Sequence, residues 1–330
     1  MISRVKIAVD AMGGDAGVAV TVAAVGDIMR DHPCIEVQLF VSEGVLGGYL
    51  NMPALRSVAD RLSSVICGPQ VENDDKPSVA VRSKIQSSMA RAIAAVASGD
   101  ADACVSAGNT GALMGFGIKL LKTIPGVSRP AICGSIPTLK GTALVLDLGA
   151  NVDCSAVQLH QFAHLGSRSA QCINGVENPR VKLLNVGSEV NKGPQFIQDA
   201  AQLLSRDKGL NYCGYIEADQ LFVGDADVVV CDGMSGNVAL KASEGAAALI
   251  GDVYRAEIQR NWLSRLSAAL AARSDAGISE RVNPAKYNGA CLLGLRGVVI
   301  KSHGSATRDA FYQALNIARH AKSQSLPLDL

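Results

Sequence analysis

Aromatic residues are scarce: Phe, Tyr and Trp make up 4% of the 330-residue chain, and Trp occurs once. An aromatic-rich all-β core is thereby excluded. The 33 glycines and a hydrophobic fraction of 48% instead suit parallel strands packed under small-residue helices. Net charge is also missing. The formal value is +1, which leaves no concentrated basic footprint of the kind nucleic-acid binding needs. The nine cysteines contain no Cys-x-x-Cys pair, and Cys67, Cys104, Cys133, Cys154 and Cys231 lie in or beside apolar runs. That pattern fits reduced, partly buried thiols of a cytosolic protein, not a disulfide framework or a zinc site. No uncharged run is long enough to span a bilayer, and Asp10 interrupts the first apolar stretch. A Gly-x-Gly-x-x-Gly fingerprint is lacking, which counts against a nicotinamide-dependent dehydrogenase.

What is present is one kind of turn, repeated. Ala103-Cys104-Val105 reads as a buried strand and Ala112-Leu113-Met114 as the start of a helix. Between them Ser106, Gly108, Asn109, Thr110 and Gly111 form a loop of small residues. Glycine permits close backbone approach, and a hydroxyl or amide can cap the helix, whose unpaired N–H groups attract an anion. Similar loops follow the strands ending at Asp10, Leu146, Val186, Cys231 and Ile300. They carry Gly13, Gly14 and Asp15; Asp147, Asn151 and Asp153; Lys192; Asn237; and Lys301, His303 and Ser305. In an open parallel sheet such loops line the carboxyl edge, where ligands bind. All six are therefore expected at one pocket for phosphate or a similar oxyanion. Asp147 and Asp153 lack a third ligand at a suitable spacing, so no metal is expected.

One region breaks the rhythm. Residues 253–273 have helical spacing, with Ile258, Trp262, Leu266 and Leu270 on one face and Arg255, Arg260, Arg265 and Arg273 elsewhere. The expectation is a single α/β unit over residues 1–330 with a protruding helical arm at about 251–285. The arm would meet a membrane surface, carrier protein or a second subunit.

The motifs Ala8-Val9-Asp10-Ala11-Met12-Gly13-Gly14-Asp15, Val105-Ser106-Ala107-Gly108-Asn109-Thr110-Gly111, Asn178-Pro179-Arg180 and Lys301-Ser302-His303-Gly304-Ser305 occur in order. Residues 147–154 and 232–240, Tyr287-Asn288-Gly289-Ala290 and Leu292-Leu293-Gly294 join them. Together they closely resemble the PlsX family, bacterial phosphate acyltransferases of phospholipid synthesis. Ala16 and Val18 stand where that family usually has His and Pro, and Cys291 replaces a more usual Pro.

The resemblance implies a three-layer α/β/α fold with a mostly parallel central sheet, like isocitrate dehydrogenase and phosphotransacetylase. It implies transfer of a long-chain acyl group from acyl-acyl carrier protein to inorganic phosphate. The acyl phosphate formed would feed a downstream glycerol-3-phosphate acyltransferase. A cytoplasmic homodimer in peripheral contact with the inner face of the membrane is implied, without metal or organic cofactor. On this reading Lys192, Asn237 and His303 are catalytic, with Lys192 on phosphate and the other two at the reacting carbonyl or departing sulfur. Asp10, Gly13, Gly14, Asp15, Ser106, Gly108, Asn109, Thr110, Asn151 and Ser305 would bind substrate or phosphate. Two alternatives differ in substrate or class: a short-chain phosphotransacetylase, and a membrane-docked scaffold without activity.

Overall fold

The computed structural model describes residues 4–45, 48, 53–260 and 283–323. Its centre is an 11-stranded sheet in the order β3-β2-β1-β4-β11-β10-β5-β6-β9-β7-β8. The strands of the first half are β1 (Val5–Asp10), β2 (Ile35–Ser42), β3 (Leu62–Cys67) and β4 (Ala103–Ser106), parallel to one another and to β11 (Val298–Lys301). The second half comprises β6 (Gly141–Leu146), β7 (Arg180–Leu184), β8 (Asn211–Ile216) and β9 (Val228–Val230), again mutually parallel.

Between the halves, β10 (Ala290–Leu293) runs antiparallel to both β11 and β5 (Ala131–Thr138), and β5 runs antiparallel to β6. Three reversals separate β11 from β6. The two parallel halves therefore point in opposite directions, and their carboxyl edges lie on opposite sides of the sheet. The single shared edge expected for all six loops does not exist: those after β1, β4 and β11 gather at one edge, those after β6, β7 and β9 at the other.

Period-2 side-chain alternation builds a core on each face. Leu144 and Leu146 of β6 point to one layer, with Leu159, Phe162, Ile197 and Leu204. Val145 points to the other, with Ile132, Ile136 and Leu148. Helix α1 (Gly17–Asp31), α2 (Pro77–Ser83), α3 (Ser88–Ala97), α4 (Thr110–Leu120), α5 (Ala156–Asn174), α6 (Gln195–Arg206), α7 (Gly233–Gln259) and α8 (Arg308–Ser323) complete three layers. Between β3 and β4, α2 and α3 are separate helices although Val79, Ile85, Met89 and Ile93 follow one apolar spacing. Lys84 pairs with Asp75 at 2.5 Å in the break, and Ser87 caps α3, leaving Val79 and Ile85 exposed. Ser155 caps α5 in a box with Gln158. Ala16 precedes α1 without any side-chain cap hydrogen bond. Of the arm, α7 ends at Gln259, and residues 261–282 lie outside the described ones.

Candidate active site

A cavity of about 1080 Å³ lies between α7 and the central strands. Its walls are largely apolar, with Ile132, Ile136, Leu148, Leu221, Phe222 and Leu240 among them. Polar groups line it too: Lys301, His303 and Ser305 at the end of β11 and its loop, Asn237 and Lys241 on α7, and Thr110 at the start of α4.

Helix α7 joins the two sheet edges. It starts beside the loop after β6, where Asp232 accepts from Ser235 N at 2.9 Å and Gly233 N donates to Asn151 O at 2.8 Å. A Cβ on Gly236 would come within 2.0 Å of Asp147 O, so only glycine lets the helix begin this close to that loop. One turn beyond Asn237, on the same helix face, stands Lys241. Its Nζ lies 2.8 Å from His303 Nε2 and 2.7 Å from Glu244 Oε2. On the other side of the ring, Nδ1 accepts from Ser305 N at 3.2 Å. Ser305 Oγ sits 2.9 Å from that Nδ1. Burial lowers the His303 pKa, and the neighbouring Lys241 lowers it further.

Behind His303 the loop is pinned by Asn288, whose Oδ1 accepts from His303 N at 2.9 Å while Nδ2 donates to Ser302 Oγ and Ala310 O at 2.9 and 2.7 Å. Lys301 Nζ donates to the carbonyls of Ala107 (3.2 Å) and Ser302. Burial brings its pKa down to about 8, against the opposing pull of Asp15 and Asp10.

The loops after β1 and β4 form the layer beneath. Asp10 is buried and accepts from Ser88 Oγ and Ser106 Oγ, both at 2.6 Å. Ser106 Oγ in turn accepts from Gly108 N at 3.1 Å. A Cβ on Gly13 would meet Gly108 N at 2.5 Å, which explains the small residues where these loops touch. Asp15 N donates to Gly304 O at 2.7 Å, tying the first loop to the His303 turn. Asn109 caps α4 through Ala112 N at 3.0 Å and donates to Asn73 O at 2.9 Å and Asp75 O at 3.1 Å.

These bonds divide the residues singled out in the sequence. Asn237, His303, Thr110 and Ser305 reach the cavity. The side chains of Asp10, Asp15, Ser106 and Asn109 are engaged in holding loops together, and Gly13, Gly14 and Gly108 allow those loops to meet.

Lys192 does not line the cavity; it is exposed after β7, on the opposite sheet edge. Asn151 has spent its amide protons on Pro130 O (2.8 Å) and Asp147 Oδ2 (2.9 Å). Its remaining side-chain group is an acceptor, which repels a phosphate oxygen. Asp147 is also occupied: its two oxygens accept from Ile132 N (2.9 Å), Ala150 N (3.0 Å), Asn151 N (2.6 Å) and Asn151 Nδ2. That leaves it fitted for anchoring a loop, not a cation. Lys241 and Asn288 were missed in the sequence. The spacing of four from Asn237 along a helix was the available signal for Lys241.

Comparison with known proteins gives consistent results. The fatty acid synthesis protein family matches residues 5–328. A protein named phosphate acyltransferase from Halorhodospira halophila is 46% identical over 327 residues, covering 99% of this chain and 95% of that one. One of the same name from Alkalilimnicola ehrlichii is 47% identical over 318 residues, covering 96% and 92%. Among solved structures, a phosphotransacetylase from Streptococcus pyogenes aligns with a TM-score of 0.62 at 18% identity, covering 97% and 94%. A 4-hydroxythreonine-4-phosphate dehydrogenase from Klebsiella pneumoniae aligns at 0.55 and 15%, covering 98% of both chains. At such identities these structures establish the fold alone.

Proposed function

This chain belongs to the fatty acid synthesis protein family, and from that membership we propose that it is an acyltransferase. It moves a long-chain acyl group from acyl-acyl carrier protein to inorganic phosphate. The observation that carries the reading is the cavity: a large, mostly apolar space lined also by two lysines, a histidine and several neutral donors. The apolar walls suit an alkyl chain and the polar groups suit an oxyanion. One site thus holds both reactants at the short separation that makes positioning effective.

In the proposed reaction a phosphate oxygen attacks the thioester carbonyl carbon. Lys301 and Lys241 hold the nucleophile, and Ser305 and Thr110 donate to its other oxygens. The carbonyl oxygen becomes an oxyanion, which the Asn237 amide stabilises. The carbon–sulfur bond then breaks, yielding acyl phosphate and the carrier thiolate, which takes a proton from solvent while neutral His303 stays bonded to Lys241 and Ser305. Direct attack is favoured over an acyl-enzyme by two features. No cysteine lines the cavity, and the buried thiols are pushed up, Cys154 and Cys291 to about 12. Ser305 does pair with His303, but the far ring nitrogen faces the Lys241 cation where a serine nucleophile's histidine would face a carboxylate. That cation disfavours the imidazolium which activating Ser305 would create.

Exposed Leu249, Ile250, Val253 and Tyr254 on α7 support burial of this face in the expected homodimer or peripheral membrane contact. Among the described residues no helix is long and apolar enough to cross a membrane.

The test is release of free thiol from long-chain acyl-acyl carrier protein, with and without phosphate. Phosphate-dependent release supports the proposal. Equal release without phosphate, or activity confined to acetyl-coenzyme A, contradicts it. A pH prediction follows from Lys301. Its ammonium persists below about 8 and is lost as pH rises through that value. The KM for phosphate should therefore climb above pH 8, and Lys301→Arg, whose guanidinium stays charged, should remove the climb. Initial rates across pH 6.5–9.5 (about the range that brackets a pKa near 8) check this.

A further inference from the structure

We propose that His160, His164 and Asp207 form a binding site for a divalent transition metal, zinc by preference, on the side of the sheet away from the cavity. His160 and His164 are four residues apart on α5, so their rings leave the same helix face. Asp207 follows α6 as its C-cap. Both imidazole Nε2 atoms lie 2.7 Å from one carboxylate oxygen, Asp207 Oδ2. The rings stand edge to face with centroids 5.0 Å apart. One ligand atom from each of the three residues falls within 4.8 Å of the others.

The donor set is two imidazoles and a carboxylate, which suits zinc and its neighbours in the first transition row. Two histidines at this helical spacing are a known way of presenting a pair of nitrogens to zinc. In a tetrahedral site with metal–ligand bonds of about 2.0–2.2 Å, donor atoms sit about 3.3 Å apart. Asp207 Oδ2 need withdraw only by a fraction of an ångström to admit an ion. The other oxygen, Oδ1, accepts from Gly209 N at 2.8 Å, a bond that orients the carboxylate as supporting contacts do around a metal. All three side chains are part-exposed, at 22–28%, so solvent can enter and supply the remaining coordination position.

The simpler use of these residues is a hydrogen-bonded cluster, each imidazole donating Nε2–H to Asp207. A cluster of that kind does not bind cobalt; a metal site does. The site lies in the layer of Leu159, Phe162 and Leu204, whereas Ile132, Val145 and Leu148 of the cavity wall lie in the other. An ion here would clamp α5 to the end of α6 without reaching the reacting groups.

The experiment uses untagged, chelator-stripped full-length protein titrated with Co²⁺, then competed with Zn²⁺. Visible d–d bands at one equivalent are expected, without the thiolate charge-transfer absorption that cysteine ligation would give, and Zn²⁺ should abolish them. Zn²⁺ should also raise the Tm by several degrees. His164→Gln keeps a hydrogen-bond donor toward Asp207, so the cluster persists while the metal ligand is lost. Its cobalt affinity should fall by more than the ~10–100-fold that a supporting contact costs, with far-UV circular dichroism and chelated Tm unchanged. Asp207→Asn should weaken binding likewise. Absence of the bands in the native protein, bands of thiolate type, or bands that survive His164→Gln would each overturn the assignment and leave a hydrogen-bonded cluster.

Discussion

His303→Ala is expected to lower kcat/KM for phosphate-dependent thiol release by ~10²–10³-fold, the range for loss of one preorganised polar group beside the reacting atoms. Among the described residues, His303 bonds both to the α7 cation and to the loop that ends β11. Its Nε2 meets Lys241 at 2.8 Å, its Nδ1 meets Ser305 Oγ at 2.9 Å, and its backbone is fixed by Asn288. The residue is exposed, so the stability loss should not exceed that of the hydrogen bonds it makes, about 0.5–1.5 kcal/mol each. Initial rates and Tm on the same preparation separate the two effects. A rate within about threefold of native, far short of that range, would remove His303 from the reaction. Lys241→Met gives a companion result. It removes a cation that holds the His303 pKa down, so the acid limb of the pH–rate profile should move to higher pH.

Asp147→Ala should unfold the protein more readily than any change within the cavity. Four N–H groups converge on that one carboxylate, three of them from backbone. Truncation strands these buried donors, at about 1–3 kcal/mol for each left unpartnered. Partial access of water reduces the sum, and the expected loss is ~3–5 kcal/mol, the range for breaking a buried charged network. The loss comes from the donors and not from the charge, because burial holds the Asp147 carboxyl above its usual range despite those four bonds. Asp147→Asn keeps one oxygen and should lose less. Because Gly236 rests against Asp147 O, the start of α7 loosens too, and Asn237 with it. Denaturant titration with activity measured in parallel checks both parts. An unchanged midpoint for Asp147→Ala would show that the loop is held by other contacts.

The first half of the sheet was legible in the sequence because β1, β2 and β4 are short apolar or alternating runs, each bounded by a polar loop. The reversal was not. It is carried by β5, whose Gly134, Ser135 and Pro137 break any apolar pattern, and by the four-residue β10. Without those strands every loop would emerge on one edge, with Lys192 beside His303. Long-range pairing sets this, and no local periodicity reports it. The Asp10–Ser88–Ser106 bonds join residues 78 and 96 positions apart, so the structural use of those polar groups was equally invisible. Asn237 and His303, far apart in sequence, both line the cavity because α7 runs between the two sheet edges. For Ala16, the structure explains how α1 begins without a capping side chain but gives no compensation for the usual histidine.

The most direct measurement is a crystal structure with a non-hydrolysable long-chain acyl phosphonate. The expected complex has the phosphonate within hydrogen-bond distance of Lys301, Lys241 and His303, and the chain along Ile136, Leu148 and Leu240. A phosphonate bound beside Lys192 on the opposite sheet edge, with the cavity left to solvent, would contradict it.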